Sequence, residues 1–337
     1  MEAILLVGGM GTRLMPLTAD TPKPMLKVAG VPFIAHQIGY AKAHGITRII
    51  VATSHKTEQF LAYLGDGSQF GVEIVHAIEQ EPLGTGGAIA NAAMLLQSDN
   101  DQPVVILNGD VLSAHDINAE IALHHQVRAD VTLHLIEVED ARAFGSVPTD
   151  EAGRILDFVE KSENPPTRFI NAGCYIFTRD LINRIPQGRV VSVERETFPD
   201  LLDDGLRLWS YKSEDYWIDI GTPAALRKAS IDLVTGAFRS PLFTPSPEHT
   251  FIDSLAEIAS SVTINAGCAI GASILRSGVV IDASVIGDGV VVESGAQISH
   301  SIIGNGVRIG SGAVVERSVI GGPGEFLRPN SRHIGEM

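Results

Sequence analysis

The chain has 337 residues, 45% hydrophobic and 19% charged, a globular composition long enough for two domains. Its formal charge of −15 excludes the broad basic surface that a nucleic-acid partner needs, but not a single local cationic pocket. Cys174 and Cys268 form neither a disulfide framework nor a zinc spacing and are expected to pack as small apolar residues. With no signal-peptide pattern and no apolar run long enough for a bilayer, a soluble cytoplasmic protein is expected.

The first half alternates short buried strands with helical stretches. Strands are predicted at Ala3–Val7, Arg48–Ala52, Val72–Ala77 and Val104–Leu107. Helices are predicted at Phe33–His44, Thr57–Leu64, Gly86–Leu96 and Ile117–Gln126. This alternation predicts crossover units and an α/β, Rossmann-like, mostly parallel sheet covered on both faces. Further strands are predicted at Val131–Val138, Ile155–Glu160, Ile170–Phe177 and Leu206–Tyr211, with antiparallel pairing open to some of them.

After about Thr235 the pattern changes. "FRSPLFTPSPEHT" is proline-rich and reads as a linker. Apolar residues then recur every six positions: Ile258, Ile264, Ile270, then Val280, Ile286, Val292, Ile298, then Ile303, Ile309, Val315. Hexapeptide periodicity, with "IGDG", "IGNG" and "IGSG" at the corners, predicts a short C-terminal left-handed parallel β-helix. A sandwich is disfavoured because its strands recur at about 8–12 residues. Three hexapeptides per coil leave room for about four coils between Ile258 and Ile320. The resulting division is residues 1–238, a linker at 239–256, and repeats at 257–337.

Five stretches carry candidate chemistry. In "LLVGGMGTRLMPLTADTPKPML" a buried strand runs into Gly8, Gly9 and Gly11, whose backbone N–H groups can form an anion nest. Arg13 adds a planar grip for phosphate, and Pro22 and Pro24 stiffen the backbone around Lys23. A surface turn with two solvated cations is the alternative. Neither a P-loop nor a dinucleotide fingerprint fits, because Lys23 is too far from the glycines and Leu14 stands where a third glycine belongs. "EQEPLGTGGA" is a glycine turn whose exposed groups can read a nucleobase edge, with Glu81 accepting from N–H groups such as those of guanine; a helix capped by Thr85 is the alternative. Asp110 follows a buried strand, where a carboxylate suits Mg²⁺ or a turn. Glu160, Lys161 and Asn171 suit a sugar phosphate or an ordinary hairpin. Asp219 in "YWIDIGTP" is a carboxylate among apolar residues, to be held by a metal or paired with a buried cation. The eleven histidines form no zinc pattern.

Taken together and in this order, "GGMGTRLMPLTADTPKPM" resembles the signature of the sugar nucleotidyltransferases. "EPLGTGGA", "FVEK", "INAG", "SVERETFP" and "YWIDIGTP" are similar to the mannose-1-phosphate guanylyltransferase members of that family. The resemblance covers about residues 1–235 strongly. It implies a nucleotidyltransferase domain, Mg²⁺ as cofactor, and GTP and mannose 1-phosphate as substrates. Leu6, Gly8, Gly9, Gly11, Thr12, Arg13 and Lys23 would hold the nucleotide, with Glu81, Pro82, Gly84, Thr85, Gly86, Gly109 and Asp110. Gly145, Glu160, Lys161, Asn171 and Gly173 would hold the sugar phosphate, and Asp110 and Asp219 the metal. Arg13, Lys23 and Lys161 would be the catalytic cations. Met10 and Met15 depart from the polar or basic residues common in the family.

The implied reaction needs no general base, because a sugar phosphate is already a nucleophile. Two other readings stay open: the same chemistry on another pair, such as a heptose 1-phosphate with GTP or glucose 1-phosphate with dTTP or UTP, and a non-catalytic subunit that senses sugar nucleotide. An acyltransferase β-helix has only His300 to offer. The repeats are expected to mediate a homodimer.

Overall fold

The computed structural model describes residues 1–337, and the chain divides into two compact units. One comprises Met1–Gly9 with Tyr40–Trp217; the other comprises Met10–Gly39 with Ile218–Met337.

The first unit is built on a nine-stranded sheet. Its strands are β1 (Glu2–Leu6), β2 (Arg48–Thr53), β3 (Glu73–Ile78), β4 (Pro103–Asn108), β5 (Val131–Glu137), β6 (Gly145–Ser146), β7 (Val159–Glu160), β8 (Phe169–Thr178) and β9 (Leu208–Ser213). The parallel part runs β4-β1-β2-β3, with Ile4 opposite both Ile50 and Ile106. Strands such as "RIIVAT" and "PVVILN" are apolar between their end residues, as expected for a sheet covered on both faces. Helices α1 (Phe33–Ala43), α2 (Thr57–Leu64) and α3 (Gly84–Ala93) connect the parallel strands in chain order, and α4 (Ile117–Val127) leads into β5. Beyond β4 the sheet turns antiparallel through β8, which pairs with β4, β5 and β6. Ile4, Ile50, Ile89, Ile106, Tyr175, Phe177 and Phe198 lie in its largest core. Cys174 is buried, as expected.

One predicted strand is mostly absent. Of Ile155–Glu160 only Val159–Glu160 pairs, with β6, while Ile155 makes an isolated bridge to Thr149. The Asp157 carboxylate accepts from the Phe158 N–H, a local bond that competes with a sheet ladder.

In the second unit α5 (Pro223–Thr235) is capped by the Thr222 hydroxyl and ends at Gly236, in the left-handed conformation. The repeats form a left-handed parallel β-helix of three five-stranded faces. The first strand of the first face, Phe251–Ile252, falls within the stretch expected to be linker. Four coils lie between Ile258 and Ile320, as expected, and three further strands outside that span, Phe251–Ile252, Phe326–Leu327 and Arg332–Ile334, bring each face to five strands. Five-residue steps such as Ile298 to Ile303 turn one coil into the next, giving a repeat of seventeen. The inward residue of the second coil's third face is Ile281, fully buried, not Val280, which is 37% exposed. A run of adjacent β-branched residues, "VVI", hides that register in the sequence. Inside, Cys268 and the aliphatic ladder Ile270, Ile286, Ile303 and Ile320 are buried. Ser284, Ser301 and Ser318 stack at one corner, the Ser284 and Ser301 hydroxyls each accepting the next serine's N–H, at 3.0 and 3.1 Å. No helix of the chain is long and apolar enough to cross a membrane.

Candidate functional site

The candidate residues divide between the two units. In the first unit, β1 ends at Leu6 and Gly8 follows, its carbonyl accepting from Ser54 Oγ at 2.9 Å. A Cβ on Gly8 would lie 2.8 Å from that oxygen, so a side chain is excluded while the hydroxyl stays. Gly109 follows β4 and donates its N–H to Leu6 O at 2.7 Å. A Cβ there would lie 2.3 Å from the Leu6 carbonyl, so close backbone approach requires glycine, and it carries Asp110 into the half-exposed position that follows.

The Glu81–Gly87 turn leads into α3. Glu81, Pro82 and Gly84 are exposed, with Gly84 at φ +71°. Glu79 is buried beneath them and accepts from the Leu83 N–H at 2.9 Å; burial raises its pKa. The N–H groups of Gly86 and Gly87 both donate to Val191 O, at 2.8 and 3.3 Å. These two donors are therefore engaged by the protein, and the exposed part of the turn is Glu81 to Gly84. Thr85 does not cap α3 either; its hydroxyl donates to Glu194 at 2.9 Å.

The sugar-phosphate candidates also gather in this unit. Gly145 on β6 pairs directly with Glu160 on β7, and a Cβ on Gly145 would lie 2.8 Å from the Glu160 carboxylate. Lys161, exposed and at φ +44°, reaches back to Glu160 at 3.6 Å. Asn171 sits on β8 just before a register shift, and Gly173, at φ +79°, forms the irregularity. Such bulges re-aim side chains. Asn171 is held at both ends: its amide donates to Tyr175 Oη at 2.8 Å, and its carbonyl accepts from Gly173 N–H at 3.0 Å.

In the second unit, Gly11 at φ +63° opens a tight turn, Thr12–Leu14, anchored by the buried Leu14. The Gly11 carbonyl accepts from Thr18 Oγ1 at 2.9 Å. A Cβ on Gly11 would lie 2.9 Å from Lys23 Cβ. Lys23 begins a second turn, Lys23–Met25, after extended Pro22, and its side chain is only 8% exposed. Its ammonium lies 3.4 Å from Asp219 Oδ1. The Arg13 guanidinium lies over Gly221, where a Cβ would meet Arg13 Nη2 at 2.6 Å and Asp219 Oδ1 at 3.0 Å. Arg13 and Asp219 therefore meet at one glycine, and Lys23 joins them through the Asp219 carboxylate. Asp219 is thus the partner of a buried cation, one of the two sequence alternatives for it.

Four residues that support these groups escaped the sequence reading: Ser54, Thr18, Tyr175 and Glu194. Thr18 and Glu194 lay in quoted motifs, "GGMGTRLMPLTADTPKPM" and "SVERETFP", and Ser54 lay in none.

Residues 2–236 match the family model for nucleotidyl transferase, and residues 283–317 match the bacterial transferase hexapeptide (six repeats) model. The chain is 47% identical over 271 residues to a mannose-1-phosphate guanylyltransferase of Mycobacterium tuberculosis, covering 80% of this chain and 75% of that protein. It is 32% identical over 284 residues to mannose-1-phosphate guanylyltransferase 1 of Arabidopsis thaliana, covering 81% and 76%. Among solved structures it is similar to HddC from Yersinia pseudotuberculosis, with a TM-score of 0.60 and 30% identity over 68% of this chain and 97% of that one. The same protein solved with GMP-PN gives a TM-score of 0.59.

Proposed function

Because the chain belongs to the nucleotidyl transferase family, we propose that it transfers the guanylyl group of GTP to mannose 1-phosphate, giving GDP-mannose and pyrophosphate. The observation that carries this reading is the 47% identity to a mannose-1-phosphate guanylyltransferase, spread over 80% of the chain. The meeting of Arg13 and Asp219 at Gly221, with Lys23 paired to Asp219, supports the chemistry.

The obstacle to the reaction is repulsion between two polyanions. An oxygen of the sugar phosphate attacks the α-phosphorus in line, and the bond to pyrophosphate breaks. Arg13 and Lys23 neutralise the triphosphate, with Gly8, Gly9, Gly11 and Thr12 lining its approach. Glu81 and the exposed turn after it meet the base. Glu160, Asn171 and Gly173 hold the sugar, and Lys161 orients its phosphate. Asp110 and Asp219 are each assigned as a carboxylate ligand for Mg²⁺. Both are partly exposed oxygen donors, the kind a hard divalent cation takes. Mg²⁺, when bound, neutralises phosphate charge. Asp219 would hold the cation, and Lys23, its partner in this structure, would present its ammonium to phosphate.

The repeats are proposed to form a homodimer, supported by exposed Leu255, Phe326 and Ile334 on the β-helix. Sedimentation at micromolar concentration tests this, and a monomer would overturn it. The activity is tested by pyrophosphate release with Mg²⁺, across all nucleoside triphosphates against mannose, glucose and heptose 1-phosphates. GTP with mannose 1-phosphate is expected to turn over best. A preference for dTTP or UTP with glucose 1-phosphate would refute the substrate pair and keep the reaction class.

A further inference from the structure

The "SVERETFP" stretch, residues 192–199, has no role in the reading above, yet its backbone is unusual. Ser192 caps the turn that follows: its hydroxyl accepts from Arg195 N–H at 3.2 Å, and its own N–H donates to Glu196 Oε1 at 2.8 Å. The turn, Val193–Thr197, is π-helical, one residue wider than an α-turn, a form that recurs at functional sites. The Glu194 carboxylate accepts from Ser192 Oγ at 3.0 Å and from Thr85 Oγ1 at 2.9 Å. Thr85 Oγ1 in turn accepts from Val193 N–H at 2.9 Å.

The glycine turn depends on this segment. Val191 takes the Gly86 and Gly87 N–H groups on its carbonyl and gives its own N–H to Leu83 O at 2.9 Å. With the two bonds at Thr85, five hydrogen bonds join Leu83–Gly87 to Val191–Glu194. Contact is close enough that a Cβ on Gly84 would lie 2.6 Å from Val191 O, and one on Gly87 2.4 Å from Arg189 O. The turn has few means of fixing itself: three of its residues are glycine, and Leu83, at the N-cap position of α3, offers no side-chain cap. Its geometry has to be imposed from outside. Two carboxylates brace it, Glu79 at the Leu83 N–H and Glu194 at the Thr85 hydroxyl.

We infer that Glu194 is a positioning residue for nucleobase selection, acting through Thr85 on the Glu81–Gly87 turn. This rests on the assignment of that turn to the base. Discrimination between bases depends on donors and acceptors held to a fraction of an ångström, and a loosened turn loses the distinction before it loses binding altogether. Glu194 touches Thr85 and Ser192, so its effect is on the shape of the turn.

The test is steady-state pyrophosphate release with GTP, ATP and dTTP at saturating mannose 1-phosphate, for wild type, Glu194→Ala, Glu194→Gln, Thr85→Val and the double variant Thr85→Val/Glu194→Ala. Glu194→Ala is expected to lower kcat/KM for GTP roughly ten-fold, mainly through KM, and to narrow the GTP-to-ATP ratio by a similar factor, with the KM for the sugar phosphate unchanged. Thr85→Val should do the same, and the double variant should be no worse than either single. Glu194→Gln keeps an oxygen acceptor and should recover most of the loss. The inference is overturned if folded Glu194→Ala keeps the wild-type base ratio, if the two losses add, or if Glu194→Gln is as impaired as Glu194→Ala, which would make the charge act on the substrate itself. Should Glu194→Ala fail to fold, Thr85→Val, which keeps the side-chain shape, decides the question. If wild type favours another base, the substrate assignment alone falls, and the ratios are read against that base.

Discussion

The Lys23–Asp219 pair gives the sharpest prediction, because it couples stability to chemistry. The two groups lie 3.4 Å apart with side chains 8% and 22% exposed. Coulomb's law gives ~5 kcal/mol at an effective dielectric constant of about 20 and ~1 kcal/mol in bulk water. Desolvation of the ammonium and the partial exposure of Asp219 bring the working coupling to roughly 2 kcal/mol. Asp219→Asn leaves a buried ammonium facing a neutral amide, whereas Lys23→Met removes the buried charge and keeps the apolar stem. Asp219→Asn is therefore expected to be the more destabilising substitution, and Lys23→Met/Asp219→Asn less destabilised than the sum of the singles. Urea denaturation followed by the fluorescence of Trp217, two residues from Asp219, measures each corner of the cycle. Pyrophosphate release should fall roughly 10²–10³-fold in either single variant. A coupling below about 0.5 kcal/mol, or Asp219→Asn as stable as wild type, would refute the account of this pair.

Three further outcomes are expected. Gly109→Ala drives a Cβ to 2.3 Å from the Leu6 carbonyl and should cost ~2–3 kcal/mol, read as a lowered Tm, with loss of nucleotide turnover. His124 is buried against Thr132 and Thr178, and burial lowers its pKa to about 4. Its neutral form is the native one, so its contribution is present above the unfolded pKa of about 6.5 and is lost as the pH falls toward the folded value. That loss reaches ~1.4 kcal/mol by pH 5.5, and denaturation of His124→Asn between pH 8 and 5.5 should show a shallower acid slope than wild type. Ile281→Ala should cost roughly 2–5 kcal/mol, whereas Val280→Ala should stay within ~0.5 kcal/mol; equal effects would place the β-helix register elsewhere.

Much of the architecture is legible in the sequence because each element carries its own periodicity. Arg48–Thr53 and Pro103–Asn108 each hold a continuous apolar run of four residues or more, and Thr57–Leu64 has the bounds predicted for it. The β-helix announces itself through one inward aliphatic per strand. Its register slips at Val280 because Val279, Val280 and Ile281 are all apolar, so spacing alone cannot choose among them. The four coils between Ile258 and Ile320 are legible from the spacing, whereas the strand before them, Phe251–Ile252, is hidden because its Ile252 is exposed and proline-rich sequence precedes it. For the chemistry, the glycines, cations and carboxylates are legible, since few other roles require such residues at those spacings. The supports are not: Ser54 lies 46 residues from Gly8, and Glu194 lies 109 from Thr85. Each acts through a single hydrogen bond that no local pattern encodes. The same holds for Gly86, whose N–H is engaged by Val191 on a distant segment.

The signature loop is fastened to the C-terminal half of its own unit. Lys27 pairs with Asp288 at 2.5 Å, the Ala29 N–H donates to Ser230 Oγ at 3.0 Å, the Phe251 ring closes over Gly30, and His36 Nδ1 meets Ser240 Oγ at 2.7 Å. These partners come from α5, from the proline-rich stretch and from the repeats themselves. The consequence concerns modularity. A shortened enzyme ending near residue 236, where the family match stops, would part Arg13 and Lys23 from three of the four clamps that shape their loop. The same holds for a chimera grafted at that point onto a foreign repeat domain. The recombinable piece of this protein is the loop together with its β-helix, two stretches far apart in the chain that would have to be transplanted as one.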